Sequence, residues 1–391
     1  LALRAGPAVR PLASPASRAM SISVPLPSFA VHRLEESDMP TMATTTKEEL
    51  MEYLHIMSIM RRTEITCDNE YKARTIRGFC HLYDGQEAVA MGVEAAMTKE
   101  DSWITSYRCH CVALLRGSTP EMVFAELFGY SAGTSKGKGG SMHFYSRENN
   151  FYGGAGIVGA QVPVGAGLAF ANKYNTPAGE KMPISVVMYG DGAANQGQVW
   201  EAANMSALWG LPCVFMVENN HYGMGTSKER SSSNPDYYTM GNLIPGIRMD
   251  GMNVLAVREG MKFVKEWCAS GNGPMYVEMN TYRYHGHSMS DPGTSYRNRD
   301  EVSGIRSARD PLEYVKKVLL EYDLATADEV KEVEKAARKE VQEALARAKA
   351  GAFPAPTELY SDIYAQSLET NPGSEYPPFI RLPNVANSIA K

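Results

Sequence analysis

An α/β fold is what this sequence predicts: a mainly parallel sheet flanked by helices, with a helical extension towards the C-terminus. Three observations point there. Residues 184–189 and 212–217 are short apolar runs rich in β-branched residues, as buried strands are. Between them Val199, Ala202, Ala203, Met205, Ala207 and Leu208 recur at roughly helical spacing, until Gly210 and Pro212 stop the helix. Both runs end in polar residues, Gly190-Asp191-Gly192 and Glu218-Asn219-Asn220. A strand–helix–strand crossover leaves its strands parallel and adjacent. Asp191 and Asn220 are thereby predicted at the carboxyl ends of neighbouring strands, where open α/β sheets bind ligands. One carboxylate, one amide and nearby carbonyls make an oxygen-only set suited to Mg²⁺. Alone, Gly-Asp-Gly reads equally well as a turn; the Asn-Asn strand end that follows favours the ligand site.

Composition bounds the rest. A chain of 391 residues has room for one large or two ordinary domains. Hydrophobic content of 44% and charged content of 21% are those of a soluble globular protein. A net charge of −5 and a pI near 6.0 give no reason to expect nucleic-acid binding. No apolar run has the length of a membrane span. The six cysteines, at 67, 80, 109, 111, 213 and 268, form no Cys-x-x-Cys pair; they read as reduced, buried thiols in a reducing compartment such as the mitochondrial matrix.

Taken in order, residues 1–34 hold Arg4, Arg10, Arg18 and Arg33, many serines and no acid, the composition of an organellar transit peptide. Its prolines weaken an amphipathic helix and keep a plastid address open. Thr46 begins a core-facing helix carrying Leu50, Leu54, Met57 and Met60 and running towards Ile76. Residues 77–86 are a loop bearing His81, 87–97 a second helix, and 103–108 a strand ending in Tyr107-Arg108. Two glycine motifs in 129–159 mislead. Gly133 to Gly139 has too few residues between its glycines for a P-loop and lacks Ser or Thr after the lysine. Gly154-Ala-Gly156-Ile-Val-Gly159 matches GxGxxG, but neither a preceding apolar strand nor the answering acid is predicted. Further strands are expected at 251–257 and 274–279, around a helix at 258–269. Residues 282–299 read as an exposed polar loop, and His285 and His287 lack further partners at zinc-ligand spacing. Asp310-Pro311 starts a helix to about Tyr322, and Thr326 to Glu329 is a capping box opening a charged helix to about Ala350. The Pro-rich stretch 353–391 is expected to be extended or poorly ordered.

The Gly-Asp-Gly and Asn-Asn pair resembles the signature of thiamine-diphosphate enzymes, which hold the diphosphate through Mg²⁺. RGFCHLYDGQEA at 77–88, SKGKGGSMHF at 135–144, YGGAGIVGAQVPVGAGLA at 152–169 and YRYHGHSMSDPG at 282–293 narrow the resemblance to the alpha-subunit family of mitochondrial-type pyruvate dehydrogenases. The likeness covers nearly everything from residue 47 to about residue 365. It implies the pyrophosphate-binding half of a thiamine-diphosphate-binding fold over 47–309, with a helical and Pro-rich extension over 310–391. It further implies decarboxylation of pyruvate with transfer of the acetyl group to a lipoyl acceptor. By residue, the resemblance implies metal ligands Asp191, Asn220 and the Tyr222 carbonyl. It places Tyr107, Arg108, Gly156, Val158, Gly192, Ala193 and His287 against the cofactor, and His81 and His287 at the reacting atoms. It makes Ser288, Ser295 and Ser227 targets of a regulatory kinase and phosphatase. The carboxylate that activates the cofactor comes from a beta subunit in this family, so the chain is expected to work in an alpha₂beta₂ heterotetramer that serves a lipoyl-bearing acetyltransferase component. Two other readings stand beside it: a branched-chain 2-oxo acid dehydrogenase alpha subunit, and a non-catalytic cofactor-binding homologue.

Overall fold

The computed structural model describes residues 21–362, and a seven-stranded sheet forms its centre. The chain enters that sheet earlier than its composition suggests. β1 (Ser21–Pro25) is followed by β2 (Ala30–His32) and β3 (Met42–Thr46). β1 and β3 pair antiparallel, whereas β2 lies antiparallel on an edge of the main sheet. Within the stretch expected as a leader, 1–34, residues 21–25 and 30–32 are strands. Serine, valine and alanine without acids suit a short strand as well as a leader, and composition alone does not separate the two. Residues 1–20 and 363–391 lie outside the described residues, and with them most of the predicted leader and the Pro-rich tail.

α1 (Lys47–Lys72) starts where predicted, because Thr46 Oγ1 accepts from the Glu49 backbone N–H at 3.3 Å. α2 (Glu87–Ala96) follows the His81 loop, and β4 (Ser102–Ser106) is buried along its length. α3 (His110–Leu115) and α4 (Pro120–Phe128) are additional; α4 buries six consecutive residues, so it carries no polar–apolar stripe to announce it. β5 (Phe151–Ala155) and α5 (Gln161–Asn175) surround the GxGxxG match. The expectation that no strand precedes that motif is corrected. β5 nevertheless pairs only with β4, so the connection through α5 to the next strand passes over β4, and the adjacent-strand geometry of a dinucleotide fingerprint is missing. β6 (Ser185–Gly190), α6 (Asp191–Ala194), α7 (Gly197–Leu208) and β7 (Cys213–Asn219) form the predicted crossover, with β6 and β7 parallel from Ser185↔Cys213 to Gly190↔Glu218.

The hairpin β8 (Tyr222–Gly223) and β9 (Thr226–Ser227) leads into α8 (Lys228–Ser231). β10 (Gly246–Asp250) ends where the strand predicted at 251–257 was to begin. Val254–Val257 instead opens α9 (Val254–Ala269), because Asn253 Oδ1 accepts from the Leu255 and Ala256 N–H groups, both at 3.0 Å. A good cap outweighs the strand preference of two valines. β11 (Met275–Asn280) precedes the 282–299 loop. α10 (Arg299–Arg309), α11 (Pro311–Glu321) and α12 (Ala327–Lys349) complete the chain, α12 with the expected capping box.

The main sheet runs β2-β10-β11-β7-β6-β4-β5, parallel throughout except for β2. Alternation along its strands feeds two cores. Trp103, Val186, Met188, Val214 and Met216 face a large cluster shared with α1, α2, α9, α11 and α12. Ile104, Val187, Tyr189, Phe215 and Val217 face a smaller one beneath α5 and α7. Full burial of each such side chain contributes roughly 1.5–3 kcal/mol. α5 lies so close to β6 that a Cβ on Gly165 would sit 2.1 Å from a Val187 methyl. The carboxyl ends of β4, β6, β7 and β11 consequently open on one side of the sheet.

Candidate active site

β6 delivers Asp191 and β7 delivers Asn220 to that opening, 2% and 7% exposed. Burial pushes the Asp191 carboxyl up to about 6, partly offset by the Arg283 charge, and its Oδ2 is buried with no hydrogen-bond partner. The Asn220 Oδ1 and the Tyr222 carbonyl converge on one nitrogen, Arg283 Nη1, at 3.1 and 2.9 Å. Two neutral oxygens already gathered on a positive group, beside a carboxylate oxygen without a partner, have the chemistry of a hard-cation site. Gly192 and Gly223 let α6 and the β8–β9 hairpin touch backbone to backbone: a Cβ on Gly192 would be 3.3 Å from the Gly223 Cα. Ala193, the next residue of α6, is buried.

β4 brings Tyr107 and Arg108. The Arg108 guanidinium donates to the Leu82 carbonyl and, at 3.0 Å, to the His287 carbonyl, tying the His81 loop to the 282–299 loop. Both predicted histidines therefore meet around Tyr107. The His81 ring lies 4.3 Å from the Tyr107 ring and 5.3 Å from the His287 ring, and His287 is 5.4 Å from Tyr107. Burial, reinforced by Arg108, pulls His81 down to about 2 and His287 down to about 4. Both rings are neutral near pH 7 and can accept a proton or donate one hydrogen bond. His81 Nδ1 is buried without a partner.

Gly156 and Val158 occupy the turn after β5. A Cβ at Gly156 would meet the His143 ring at 3.5 Å, while the Val158 carbonyl accepts from Gln196 Nε2 at 2.8 Å. Ile157 and Val158 between them expose a hydrophobic tip. The structure thus gathers His81, Tyr107, Arg108, Asp191, Asn220, Tyr222 and His287 at the strand ends, with Gly156 and Val158 on the turn beyond β5.

The loop predicted to be exposed is anchored instead, and that expectation is corrected. Tyr282, Arg283, Ser288 and Arg297 are buried. Arg297 donates to the Arg283 and His285 carbonyls at 2.8 and 2.6 Å, and Asp291 Oδ2 accepts from the His287 N–H and the Tyr296 hydroxyl at 2.7 and 2.5 Å. An abundance of turn residues describes a chain path; arginines bonded to carbonyls decide its burial. Ser288 shares a 2.9 Å hydroxyl contact with Ser290, Ser295 is exposed, and Ser227 is half-buried at the start of α8. His285 and His287 go separate ways, His285 Nδ1 pairing with Asp84 Oδ2 at 2.6 Å.

Several residues at this opening carry no signal that sequence spacing reveals: Arg283, Gln86, Glu218, Tyr83 and Asp291. Gln86 and Arg283 fall inside the stretches that carry the resemblance. Their tasks depend on partners far away in the chain, Gln86 on Glu218 and Arg283 on Asn220. Glu64, Cys67 and His110 form a further buried group whose ligand atoms lie within 4.8 Å of one another, but His110 Nδ1 already bonds Glu64 at 3.0 Å. All six cysteines are free and buried.

A mostly parallel sheet with polar strand ends of this kind defines an α/β protein with its candidate site at the strand carboxyl ends; the dehydrogenase E1 component family matches residues 55–357, and the chain belongs to it. More particularly, it is 55% identical over 356 residues to the mitochondrial pyruvate dehydrogenase E1 component subunit alpha-1 of Oryza sativa subsp. japonica, covering 91% of this chain and 88% of that one. The corresponding subunit alpha-1 of Arabidopsis thaliana is 55% identical over 326 residues, covering 83% and 82%. The mitochondrial subunit alpha of Dictyostelium discoideum is 52% identical over 332 residues, covering 85% and 86%.

Proposed function

We propose that the chain is the alpha subunit of a mitochondrial pyruvate dehydrogenase, acting with Mg²⁺ and thiamine diphosphate in the decarboxylation of pyruvate and reductive acetylation of a lipoyl group. The observation that carries this is the partnerless Asp191 Oδ2 beside the converging oxygens of Asn220 and Tyr222, set in a chain that is 52–55% identical to relatives bearing that name. Thiamine diphosphate, when bound, supplies the carbon nucleophile and the electron sink. Asp191, Asn220 and the Tyr222 carbonyl hold the metal, and Gly192 and Ala193 give their backbone to the diphosphate. Tyr107 and Arg108 border the same anion, while Gly156 and Val158 offer main-chain atoms to the aminopyrimidine. His81 and His287, neutral by burial, hydrogen-bond the 2-oxo group and move a proton at its oxygen. The pyruvate names borne by these relatives favour pyruvate over branched-chain substrates, and the retained ligand set argues against a non-catalytic homologue.

The activating carboxylate belongs to a beta subunit in this reading, and the alpha surface is suited to such a partner. Val164, Phe170, Tyr174, Leu208 and Trp209 are exposed on or beside α5 and α7, and Phe170 stacks on Tyr174 at 6.2 Å and meets Trp209 edge-on at 5.9 Å. Contiguous apolar surface of this kind marks interfaces. Ser288, Ser295 and Ser227 are the proposed targets of a regulatory kinase and phosphatase, and the lipoyl-bearing acetyltransferase is the proposed acceptor component. The test is a Mg²⁺-dependent titration of thiamine diphosphate into the chain co-purified with its beta subunit. Asp191→Ala is expected to abolish cofactor binding and Asn220→Ala to weaken it measurably, both leaving the fold intact; either variant binding with wild-type affinity would remove the metal-site assignment. Competition between pyruvate and branched-chain 2-oxo acids then fixes the substrate.

A further inference from the structure

A polar chain that ends on Asn220 begins in the core. The Tyr83 hydroxyl donates to Glu218 Oε1 at 2.7 Å, Gln86 Nε2 donates to the same oxygen at 2.9 Å, and Asn220 Nδ2 donates to Gln86 Oε1 at 3.1 Å. On the far side Arg283 Nη1 donates to Asn220 Oδ1 at 3.1 Å. All five residues are buried. An ionised carboxylate only accepts and a guanidinium only donates; the sense that follows is that of the ionised Glu218, which accepts from both Tyr83 and Gln86. With an acceptor fixed at one end and a donor at the other, the two amides between them have a single allowed sense. Each turns its NH₂ towards Glu218 and its oxygen towards Arg283.

A half-turn about the last bond of Asn220 exchanges oxygen and nitrogen in almost the same volume; Arg283 holds the oxygen from one side and Gln86 Oε1 holds the nitrogen from the other. The reversed amide would aim two N–H groups at the side of the strand ends where Asp191 and the Tyr222 carbonyl lie, and would repel a cation there. We infer that Gln86 is the positioning residue that presents Asn220 Oδ1 to the metal, with Glu218 setting the sense of Gln86 and Tyr83 anchoring Glu218. The inference rests on the reading of Asp191, Asn220 and Tyr222 as metal ligands. It gives the loop between the His81 turn and α2 a task in cation binding that no contact of its own with the ion would show.

The chain co-purified with its beta subunit, stripped with EDTA, is titrated with Mg²⁺ at a fixed thiamine diphosphate concentration, and bound cofactor is read by calorimetry. The variants are Gln86→Met, which fills the volume without either hydrogen bond, Gln86→Asn, which keeps the amide but cannot bridge both partners, Asn220→Ala, and the double variant Gln86→Met/Asn220→Ala. Melting in EDTA checks that each is folded. Loss of a group that orients a ligand costs about 10–100-fold in metal affinity; a loss in that range is expected for both Gln86 variants. In the Asn220→Ala background Gln86→Met should add nothing further, since its effect runs through that amide. Wild-type Mg²⁺ affinity in both Gln86 variants, or full additivity in the double variant, overturns the inference. Wild-type affinity in Asn220→Ala instead overturns the ligand assignment itself, so the two failures are distinguishable.

Discussion

An imidazole packed away from water beside a guanidinium holds its proton weakly, and His287 and His81 both do so. Their ordinary value is 6.5; burial first, then Arg108, lowers His287 to about 4 and His81 to about 2. Between 6.5 and 4 the unfolded chain binds a proton at His287 that the folded chain does not, so folding stability is fully present above that window and falls as the pH drops through it. Denaturant unfolding from pH 7 down to pH 4.5 is therefore expected to show a loss that His287→Asn reduces. An unchanged pH slope in that variant would show His287 to be protonated in the fold. The histidines also show how far residue types alone can be read. His81 and His287 were placed by resemblance, and Asp191 and Asn220 already by the crossover itself. Gln86 and Arg283 stayed invisible, because a hydrogen bond across the fold leaves no trace in local spacing. Asp310 was legible only in part. It caps α11 as expected, accepting from the Leu312 N–H at 2.9 Å, but its other oxygen accepts from Arg61 at 3.0 Å.

That second contact belongs to the scale of elements. Arg61 on α1 also makes a bidentate pair with Glu87 at the start of α2, and Tyr284 donates to Asp310 at 3.0 Å, so three helices and the 282–299 loop meet around one buried guanidinium. Removing one member of such a network leaves the others charged and unpaired, which typically costs about 3–5 kcal/mol. Arg61→Met is expected to lose stability in that range by denaturant titration, whereas a loss below 1 kcal/mol would mean that water reaches the carboxylates. The 282–299 loop depends on arginine in a different way, through carbonyls. Arg297→Ala frees the Arg283 and His285 carbonyls, and limited proteolysis is expected to cut within the loop at least several-fold faster. Equal cutting would locate the anchor elsewhere, at Asp291 for instance. The same anchoring bears on Ser288: at 8% exposure it reaches a kinase only when the loop opens. Once phosphorylated it would place about −1.5 to −2 charges beside His287, in the pocket proposed to receive an anionic diphosphate. Like charges a few Å apart repel by roughly 4 kcal/mol per unit pair at an effective dielectric of 20. Mass spectrometry at Ser288 together with activity of the modified enzyme checks the resulting inactivation. Elements misread from sequence failed for local reasons, as where Asn253 turned a valine-rich stretch into the first turn of α9.

Across the whole molecule, the parallel sheet was legible where its strands are continuous apolar runs, as in β6 and β7, and the site followed because parallel strands share one polar end. What sequence could not show is how much of that site faces outward. The exposed Ile157–Val158 tip leaves the strand carboxyl ends open to a partner, and the aromatic group at the far ends of α5 and α7 offers further apolar surface, so the purified alpha chain is expected to turn over no pyruvate until the beta subunit is added. Appreciable decarboxylation by the chain alone would contradict a shared active site. The other flank of the sheet is closed by a much smaller device. β2 pairs through Ala30–His32 with Arg248–Gly246, and these three residues satisfy the outer side of β10. A protease that trims the precursor after His32, or an expression plasmid that starts there, would leave β10 as a bare template for strand addition. A protein cut there is expected to betray itself first by aggregation.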